Sequence, residues 1–396
     1  MTTVGGPTID PGRFGRRTRG IALPLAATLV AFVIGGLVVA ATGHNPLSAY
    51  KAIFDGTGLN WLFPWVSGFE RQAAARDLQQ TLLVMTPLIL TACAVGFSFR
   101  AGMFNIGGQG QYWVGLTAAL VVGTHLEGTA TWLHVTLGMV AAITAGSIWG
   151  AIAGVLKATR GAHEVITTIM LNWIAIFVIK WLVELKGPLQ GGEPTIPRSD
   201  DIADSAHLPT IWGTLQALHA GIFVALAALV VYHLLLNRTT LGFEIRAVGF
   251  NPEAARASGI SVSRSYILAL GISGAFAGLA GSLDLLGWKF HVASNDLDVG
   301  TLGFIGIAVA LLGRNSAVGI LFAALLFACL QTGTAPRNLD PTVFPPELAG
   351  NLATIIQALI ILFVGAQLLI VYAARSGQRL LPRRGAPTDS EPEAGS

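Results

Sequence analysis

The stretch FRAGMFNIGGQGQYWVG occupies residues Phe99 to Gly115, between two strongly apolar segments. Its unusual residues are three amides and five glycines, namely Asn105, Gln109, Gln111, Gly102, Gly107, Gly108, Gly110 and Gly115. A soluble loop would carry more charge, and a helix that faces lipid would be more apolar. The structure of this stretch therefore depends on whether it lies at the surface or at membrane depth.

The composition is that of a protein built almost entirely from membrane-spanning helices. Of 396 residues, 53% are hydrophobic and only 11% are charged, whereas a soluble domain carries roughly 25% charged residues. Apolar runs of roughly 20 residues, long enough to cross a hydrocarbon core of about 30 Å, recur along the chain. Both cysteines, Cys93 and Cys329, lie inside such runs. We expect an all-α, polytopic membrane protein without a metal site.

The apolar runs predict about ten transmembrane crossings. The candidate spans are residues 21–42, 81–99, 105–124, 132–156, 165–185, 218–236, 265–287, 300–313, 316–333 and 351–374. They lie in a membrane domain at 21–374, with longer outer loops at 43–80, 186–217 and 334–350. A basic tail at 1–20 precedes this domain, and a polar, Pro/Gly-rich tail at 375–396 that we expect to be disordered follows it.

The basic residues predict the orientation of the chain. With ten crossings both termini lie on one side, and cytoplasmic loops are enriched in Lys and Arg. Sixteen of the 24 basic residues fall on the side of the termini, namely Arg13, Arg16, Arg17, Arg19, Arg100, Lys157, Arg160, Arg238, Arg246, Arg256, Arg264, Arg314, Arg375, Arg379, Arg383 and Arg384. We therefore expect both termini to be cytoplasmic.

Two predicted crossings are short and interrupted by glycines. The third contains the stretch quoted above, and the eighth, at 299–315, includes Gly300, Gly303, Gly306 and Gly313. Each is the second crossing of a group of four, and the two groups enter the membrane from opposite sides. Short, glycine-interrupted segments at corresponding positions of inverted halves indicate a substrate path in a transporter.

The amides of the first interrupted segment have two possible roles. Non-helical main chain at membrane depth is tolerated only where protein or a water-filled cavity satisfies its N–H and C=O groups. Asn105, Gln109 and Gln111 are able to bond either to such backbone groups or to a polar solute. Alternatively, the glycines allow close helix packing, and the amides bond between helices.

The fifth span contains polar residues with similar alternatives. The neighbours Asn172 and Trp173 offer an amide and a flat ring, which suit hydrogen bonding and stacking with a nucleobase. A packing amide and a tryptophan at the lipid interface are the alternative. Lys180 and Glu184, four residues apart near the outer end of this span, are expected either to form an ion pair along the helix or to extend their charged ends to the membrane surface.

The segment at about 238–264 carries signals for helix starts and ends. In its sequence NPEAARASG, Asn251 is a good N-cap, Pro252 suits the first helical position, and Gly259 suits the far end. Two short helices are expected, at about 241–248 and 252–258. The small residues expected on the surface of this protrusion are Ala254, Ala255 and Ala257. Such a surface suits a soluble partner, and a solvated connector is the alternative.

Four motifs in this order carry a family resemblance: GMFNIGGQGQ, EVITTIMLNWIA, RAVGFNPEAARASGI and GIAVALLGRN. Together they closely resemble ABC importer permeases of the branched-chain amino acid and simple-sugar superfamily, over roughly residues 80–375. Within it they look most like nucleoside permeases that work with a basic-membrane-protein type lipoprotein. The resemblance implies a type II ABC importer-like fold with two inverted halves, in a bacterial plasma membrane.

The resemblance also implies roles for individual residues. ATPase coupling is expected at Glu244, Arg246, Ala247, Gly249, Asn251, Ala254 and Gly259. The substrate path is expected along Asn105, Gln109, Gln111, Thr167, Asn172, Trp173 and Phe304. Many relatives carry an acidic residue where Gln109 stands, so we expect no role here that needs a charge.

The expected energy source is a separate protein. The chain has no G-x-x-x-x-G-K-[ST] phosphate loop, so we expect another polypeptide to bind the ATP, with no cofactor and no enzymatic site here. The resemblance implies that this polypeptide is a cytoplasmic ABC ATPase. The resemblance implies two further partners, an extracytoplasmic substrate-binding lipoprotein and a second permease paralogue. Nucleosides are the expected solute, with a simple sugar such as ribose as the alternative. An ion-driven secondary transporter would usually carry more ionisable groups deep in the membrane.

Overall fold

The computed structural model describes residues 11–126, 128–192, 195–213, 218–299, 301–338 and 345–365, and this part is mostly helical. The helices are α1 (Pro11–Ala41), α2 (Pro46–Gly56), α3 (Gly68–Arg100), α4 (Gly108–His125), α5 (Thr131–Arg160), α6 (Glu164–Val183), α7 (Gly221–Arg238), α8 (Thr240–Phe250), α9 (Pro252–Ala257), α10 (Val262–Asp284), α11 (Ser294–Val299), α12 (Leu302–Leu312), α13 (Ala317–Gly333) and α14 (Pro346–Gly365). A small hairpin pairs β1 (Thr210–Trp212) with β2 (Leu218–His219). The predicted all-α architecture is confirmed.

Seven helical segments of the described residues are long and apolar enough to cross a membrane. They lie in α1, α3, α5, α6 and α7, in α10 with the turn that follows it, and in α11 together with α12. The helices α13 and α14 are apolar but shorter, and α4 begins with the polar residues of the first interrupted segment. Each of the ten predicted spans therefore contains a helix, and the number of crossings stays a prediction.

Several helices extend beyond the predicted spans. The helix α1 begins at Pro11, inside the expected basic tail, and α3 begins at Gly68, inside the expected outer loop. Hydropathy detects only the apolar part of a helix, while the hydrogen-bonded backbone continues through polar residues. Residues 1–10, 339–344 and 366–396, which include the tail at 375–396 and part of the 334–350 loop, lie outside the described residues.

The core forms where α10 packs against α3, α4 and α5. Glycines allow this packing, because the backbones approach too closely for a side chain. A Cβ built on Gly115 of α4 would lie 2.3 Å from the Cα of Gly278 of α10, and one built on Gly146 of α5 would lie 2.9 Å from the same atom. Gly278 is thus the point at which three helices meet.

The helix contacts form two matching sets. In one set α10 packs on α4 and α5, and α4 packs on α6; in the other, α3 packs on α12 and α13, and α12 packs on α14. The sets correspond when α3 is matched with α10, α4 with α12, α5 with α13, and α6 with α14. This correspondence supports the prediction of two halves, whose opposite orientation in the membrane stays a prediction.

Replacing Gly278 with valine is expected to separate these three helices. A Cβ at this position would lie 2.2 Å from the carbonyl oxygen of Ala142, so backbone has to move, at a cost of about 3 kcal/mol or more. We expect a lower midpoint of thermal unfolding in detergent. The control is Gly350→Val, at a helical site with no atom within 4 Å of the new Cβ. Equal midpoints for the two variants would contradict the packing role.

Candidate translocation path and coupling surface

The main chain leaves the helical conformation at residues 101–107, between α3 and α4. This break is buried, since Met103 is 1% exposed and Asn105 is fully buried. Its neighbour on α6 is Asn172, which lies eight residues into that helix, or about 12 Å at 1.5 Å per residue. If α6 crosses the membrane, the break lies well inside the hydrocarbon layer, where its backbone groups need partners within the protein.

Asn105 supplies one of these partners and bonds to two side chains. Its Oδ1 accepts a hydrogen bond from the backbone N–H of Gly107 at 2.8 Å. Its Nδ2 donates to Oε1 of Gln111 at 2.9 Å and to Oγ of Ser273 on α10 at 2.7 Å. The Ser273 hydroxyl in turn donates to the carbonyl of Ala94 on α3 at 2.6 Å. Asn105 and Gln111 therefore link the break to the core.

Two side chains of α6 bond to the main chain of the same region. Oδ1 of Asn172 accepts from the N–H of Gly110 in the first turn of α4 at 2.7 Å, and its Nδ2 donates to the carbonyl of Ile106 at 2.8 Å. Oγ1 of Thr168 accepts from the N–H of Ile106 at 3.3 Å. The amide of Asn172 thus satisfies one donor and one acceptor that no helix uses.

Gln109 joins the two interrupted segments. Its Oε1 accepts from the N–H of Gly303, in the first turn of α12, at 2.7 Å. A Cβ on Gly303 would lie 2.3 Å from the backbone nitrogen of Gln109, so only glycine permits this approach. The Nε2 of Gln109 is buried without a protein partner. The starts of α4 and α12 therefore meet, although nearly 200 residues separate them.

The other expected path residues lie outside this buried network. Trp173 is 55% exposed, and Phe304 is 45% exposed. Thr167 is half-buried, and its hydroxyl donates to the carbonyl of Glu164 one turn earlier in α6. The expected path therefore divides into four buried amides, of which three bond to backbone groups and Gln111 bonds to Asn105, and three residues with accessible side chains. A role in solute passage stays a prediction for all seven.

The expected ion pair between Lys180 and Glu184 is wrong. The Nζ of Lys180 instead lies 2.9 Å from a carboxylate oxygen of Asp298 on α11, and Glu184 accepts from the hydroxyl of Ser294 at 3.1 Å. Tertiary packing brings α11 beside the end of α6, and the local spacing of four residues does not decide the pairing.

The expected short helices of the 238–264 segment are present as α8 and α9. Oδ1 of Asn251 accepts from the N–H groups of Glu253 at 3.0 Å and Ala254 at 3.1 Å, which is the predicted N-cap. Pro252 is the first residue of α9, and Gly259 follows it with a φ of +84°. This left-handed backbone favours glycine, so the sequence signals for both ends are confirmed.

The exposed surface of this pair of helices differs from the expected one. Ala255 is buried against Val248 and Val262, so it does not face a partner, whereas Ala254 and Ala257 are exposed. Of the other expected coupling residues, Asn251 and Gly259 are exposed, and Glu244, Arg246, Ala247 and Gly249 are half-buried. A six-residue helix that packs on its neighbour has to bury one of its small residues.

Sequence reasoning missed two aromatic residues on α8. Phe250 is 91% exposed and Phe243 is 62% exposed, and seven residues of separation place them on one face of the helix. Their spacing of seven residues was the available signal. Exposed aromatic residues of this kind are typical anchors of protein interfaces.

A glycine contact joins α8 to the break between α3 and α4. A Cβ on Gly249 would lie 2.3 Å from the carbonyl oxygen of Arg100, and one on Gly102 would lie 3.1 Å from the Cα of Gly249. Gly102 also has a φ of +72°, which favours glycine. The short helices therefore rest directly on the main chain that leads into residues 101–107.

A family model agrees with the motifs and the fold. The model described as "Branched-chain amino acid transport system / permease component" matches residues 77–372. The chain belongs to this family. The matched part of the permease runs from within α3 to beyond the end of α14, so it contains both interrupted segments and the short helices α8 and α9.

Curated relatives of the permease match nearly its whole length. It is 37% identical to the guanosine ABC transporter permease protein NupP of Bacillus subtilis over 94% of this chain and 99% of that protein. It is 35% identical to the nucleoside ABC transporter permease protein NupB of Lactococcus lactis over 89% and 93%. It is 34% identical to the glucose ABC transporter permease protein TsgB13 of Haloferax volcanii over 90% of each. The predicted family is confirmed, and with its apolar helices the permease is a multi-pass membrane protein.

Replacing Asn172 with leucine is expected to destabilise the permease. The change leaves the N–H of Gly110 and the carbonyl of Ile106 without their partners, at roughly 1–3 kcal/mol for each buried group. We expect a clear fall in the midpoint of thermal unfolding in detergent. The control Asn237→Leu removes an exposed amide that bonds only within α7. A midpoint for Asn172→Leu as high as that of the control would refute this role.

Proposed function

We propose that this permease is the transmembrane subunit of an ATP-driven ABC importer that moves nucleosides into the cell. The observation that carries the proposal is the similarity, over nearly the whole chain, to permeases named for guanosine and nucleoside transport. The contact between the starts of α4 and α12 supports it, because two interrupted helices that meet at a buried polar junction are typical of transport paths.

The partners in this proposal are three proteins. A cytoplasmic ABC ATPase docks on α8 and α9 and supplies the bound ATP, so this chain needs no cofactor of its own. A second permease subunit completes the path, and an extracytoplasmic lipoprotein delivers the solute. The proposal places both termini in the cytoplasm of a bacterium, as the distribution of Lys and Arg predicts.

The glycine contact between α8 and the end of α3 suggests how ATP hydrolysis acts on the path. Closure of the ATPase dimer would push α8, and Gly249 would transmit this movement to Gly102 because their backbones touch. The displaced segment at 101–107 bonds to α6 through Asn172 and leads into α4, where Gln109 contacts α12. One movement would thereby reach every helix that borders the junction.

A simple sugar is the alternative solute. The similarity to the glucose permease TsgB13 favours it, at 34% identity over 90% of the chain. Two nucleoside relatives have higher identity to the chain, so we favour nucleosides.

Uptake measurements test the proposed solute. Cells that lack the gene for this permease are expected to lose ATP-dependent uptake of radiolabelled guanosine and uridine and to regain it from a plasmid copy. Glucose and ribose uptake is the control, and it is expected to stay unchanged. Loss of sugar uptake alone would support the alternative, and nucleoside uptake that follows an ion gradient without ATP would refute the ABC mechanism.

Replacing Phe250 with alanine is expected to weaken the contact with the ATPase. Truncation of an exposed aromatic anchor costs about 2 kcal/mol or more of binding energy, which is roughly a 30-fold loss of affinity. The measurement is co-purification of the ATPase with the tagged permease, together with nucleoside uptake. The control is Phe69→Ala, which removes a ring that is 76% exposed at the start of α3. Unchanged co-purification of the Phe250 variant would show that the ATPase docks elsewhere.

A further inference from the structure

One face of α6 combines aromatic rings with a charge. Trp173, Phe177 and Lys180 follow one another at spacings of four and three residues, which places them on the same side of the helix. The two rings are stacked, with centroids 6.0 Å apart and planes 27° apart, and Phe177 is 63% exposed. The face therefore presents a flat aromatic surface with a cation one turn further along.

An accessible ion pair completes this face. The Nζ of Lys180 lies 3.1 Å and 2.9 Å from the two carboxylate oxygens of Asp298, and both side chains are partly exposed. An exposed pair contributes only about 0–1 kcal/mol to stability. Ionisable groups within membrane spans usually pair with one another or face a water-filled cavity, and a Lys near the end of a span reaches toward water. The small contribution of this ion pair to stability therefore does not by itself explain why the two charged residues are present.

Two exposed rings come directly after residues of the polar junction described above. Trp173 follows Asn172, which bonds to the first turn of α4, and Phe304 follows Gly303, which bonds to Gln109 of the same turn. The exposed rings of α6 and α12 thus lie one residue along the helix from positions that bond at the junction.

We propose that this face is the solute-binding surface of the permease and that it recognises the two parts of a nucleoside separately. The inference rests on the proposed function. The base stacks on Trp173 and Phe177, and the ribose hydroxyls bond to Lys180 and Asp298. Trp173 and Lys180 are separated by about 10 Å along the helix, a distance that a nucleoside spans. A carboxylate and an ammonium together accept from and donate to vicinal hydroxyls.

Variants of the two rings test the site for the base. Trp173→Leu and Phe177→Leu are expected to raise the KM for guanosine uptake about 10-fold, since stacking on an aromatic side chain contributes roughly 1–3 kcal/mol per base. Trp173→Phe keeps a ring and is expected to give a smaller rise. The control Phe223→Leu changes a ring of similar exposure on α7 and is expected to leave KM unchanged.

Variants of the ion pair test the site for the ribose. Wild-type cells are expected to take up uridine in preference to 2′-deoxyuridine, because a site that bonds a hydroxyl discriminates against its absence. Lys180→Met and Asp298→Asn are expected to reduce this preference several-fold. The lipoprotein is the same in every strain, so a change in the ratio is due to the permease. The control variants Lys51→Met and Asp55→Asn alter an exposed ion pair on α2.

The outcomes separate this inference from the proposed function. If wild-type cells take up no nucleoside through the permease, the proposed function itself fails. If they do, and the ring variants leave the KM for guanosine unchanged, the site for the base is refuted. If Lys180→Met and Asp298→Asn lower uptake of uridine and 2′-deoxyuridine equally, the pair only holds α11 against α6, and the ribose site is refuted.

Discussion

The structure depends on the need to satisfy the backbone of residues 101–107 inside the protein. A helix satisfies its own N–H and C=O groups, but this segment does not, and lipid offers no partners. Asn105 and Asn172 provide bonds to its main chain and to the first turn of α4. Because each amide carries both a donor and an acceptor, one side chain can satisfy two backbone groups that face different ways.

The helices α6 and α12 both bond to the first turn of α4, directly after this segment. The amide of Asn172 fixes α6 against the break, and Gln109 fixes α12 against the start of α4. On the opposite side, Gly249 of α8 rests on the end of α3. A segment that lacks the regular hydrogen bonds of a helix is easier to displace than a helix, since its conformation depends partly on side chains of its neighbours. The segment at residues 101–107, whose backbone needs partners from several helices, is thus also well placed to transmit movement between them.

Much of the fold was predictable from local patterns. Apolar runs indicated the spanning helices, and the N-cap at Asn251 with the glycine at Gly259 indicated α9, because both signals act over a few residues. The pairing of Lys180 with Asp298, the burial of Ala255 and the exposure of Phe250 were not predicted. Each depends on which element packs alongside, and no spacing within one helix contains that information.

The sequence by itself determined the family, the helical membrane architecture and the positions of the two interrupted segments, because composition and glycine spacing act locally. Only the tertiary structure showed which groups the buried amides bond. A side chain such as Asn105 is able to bond to many partners, and the positions of its neighbours select among them. Here those neighbours are Gly107, Gln111 and Ser273, and the last of these is brought to Asn105 from α10, 168 residues further along the chain.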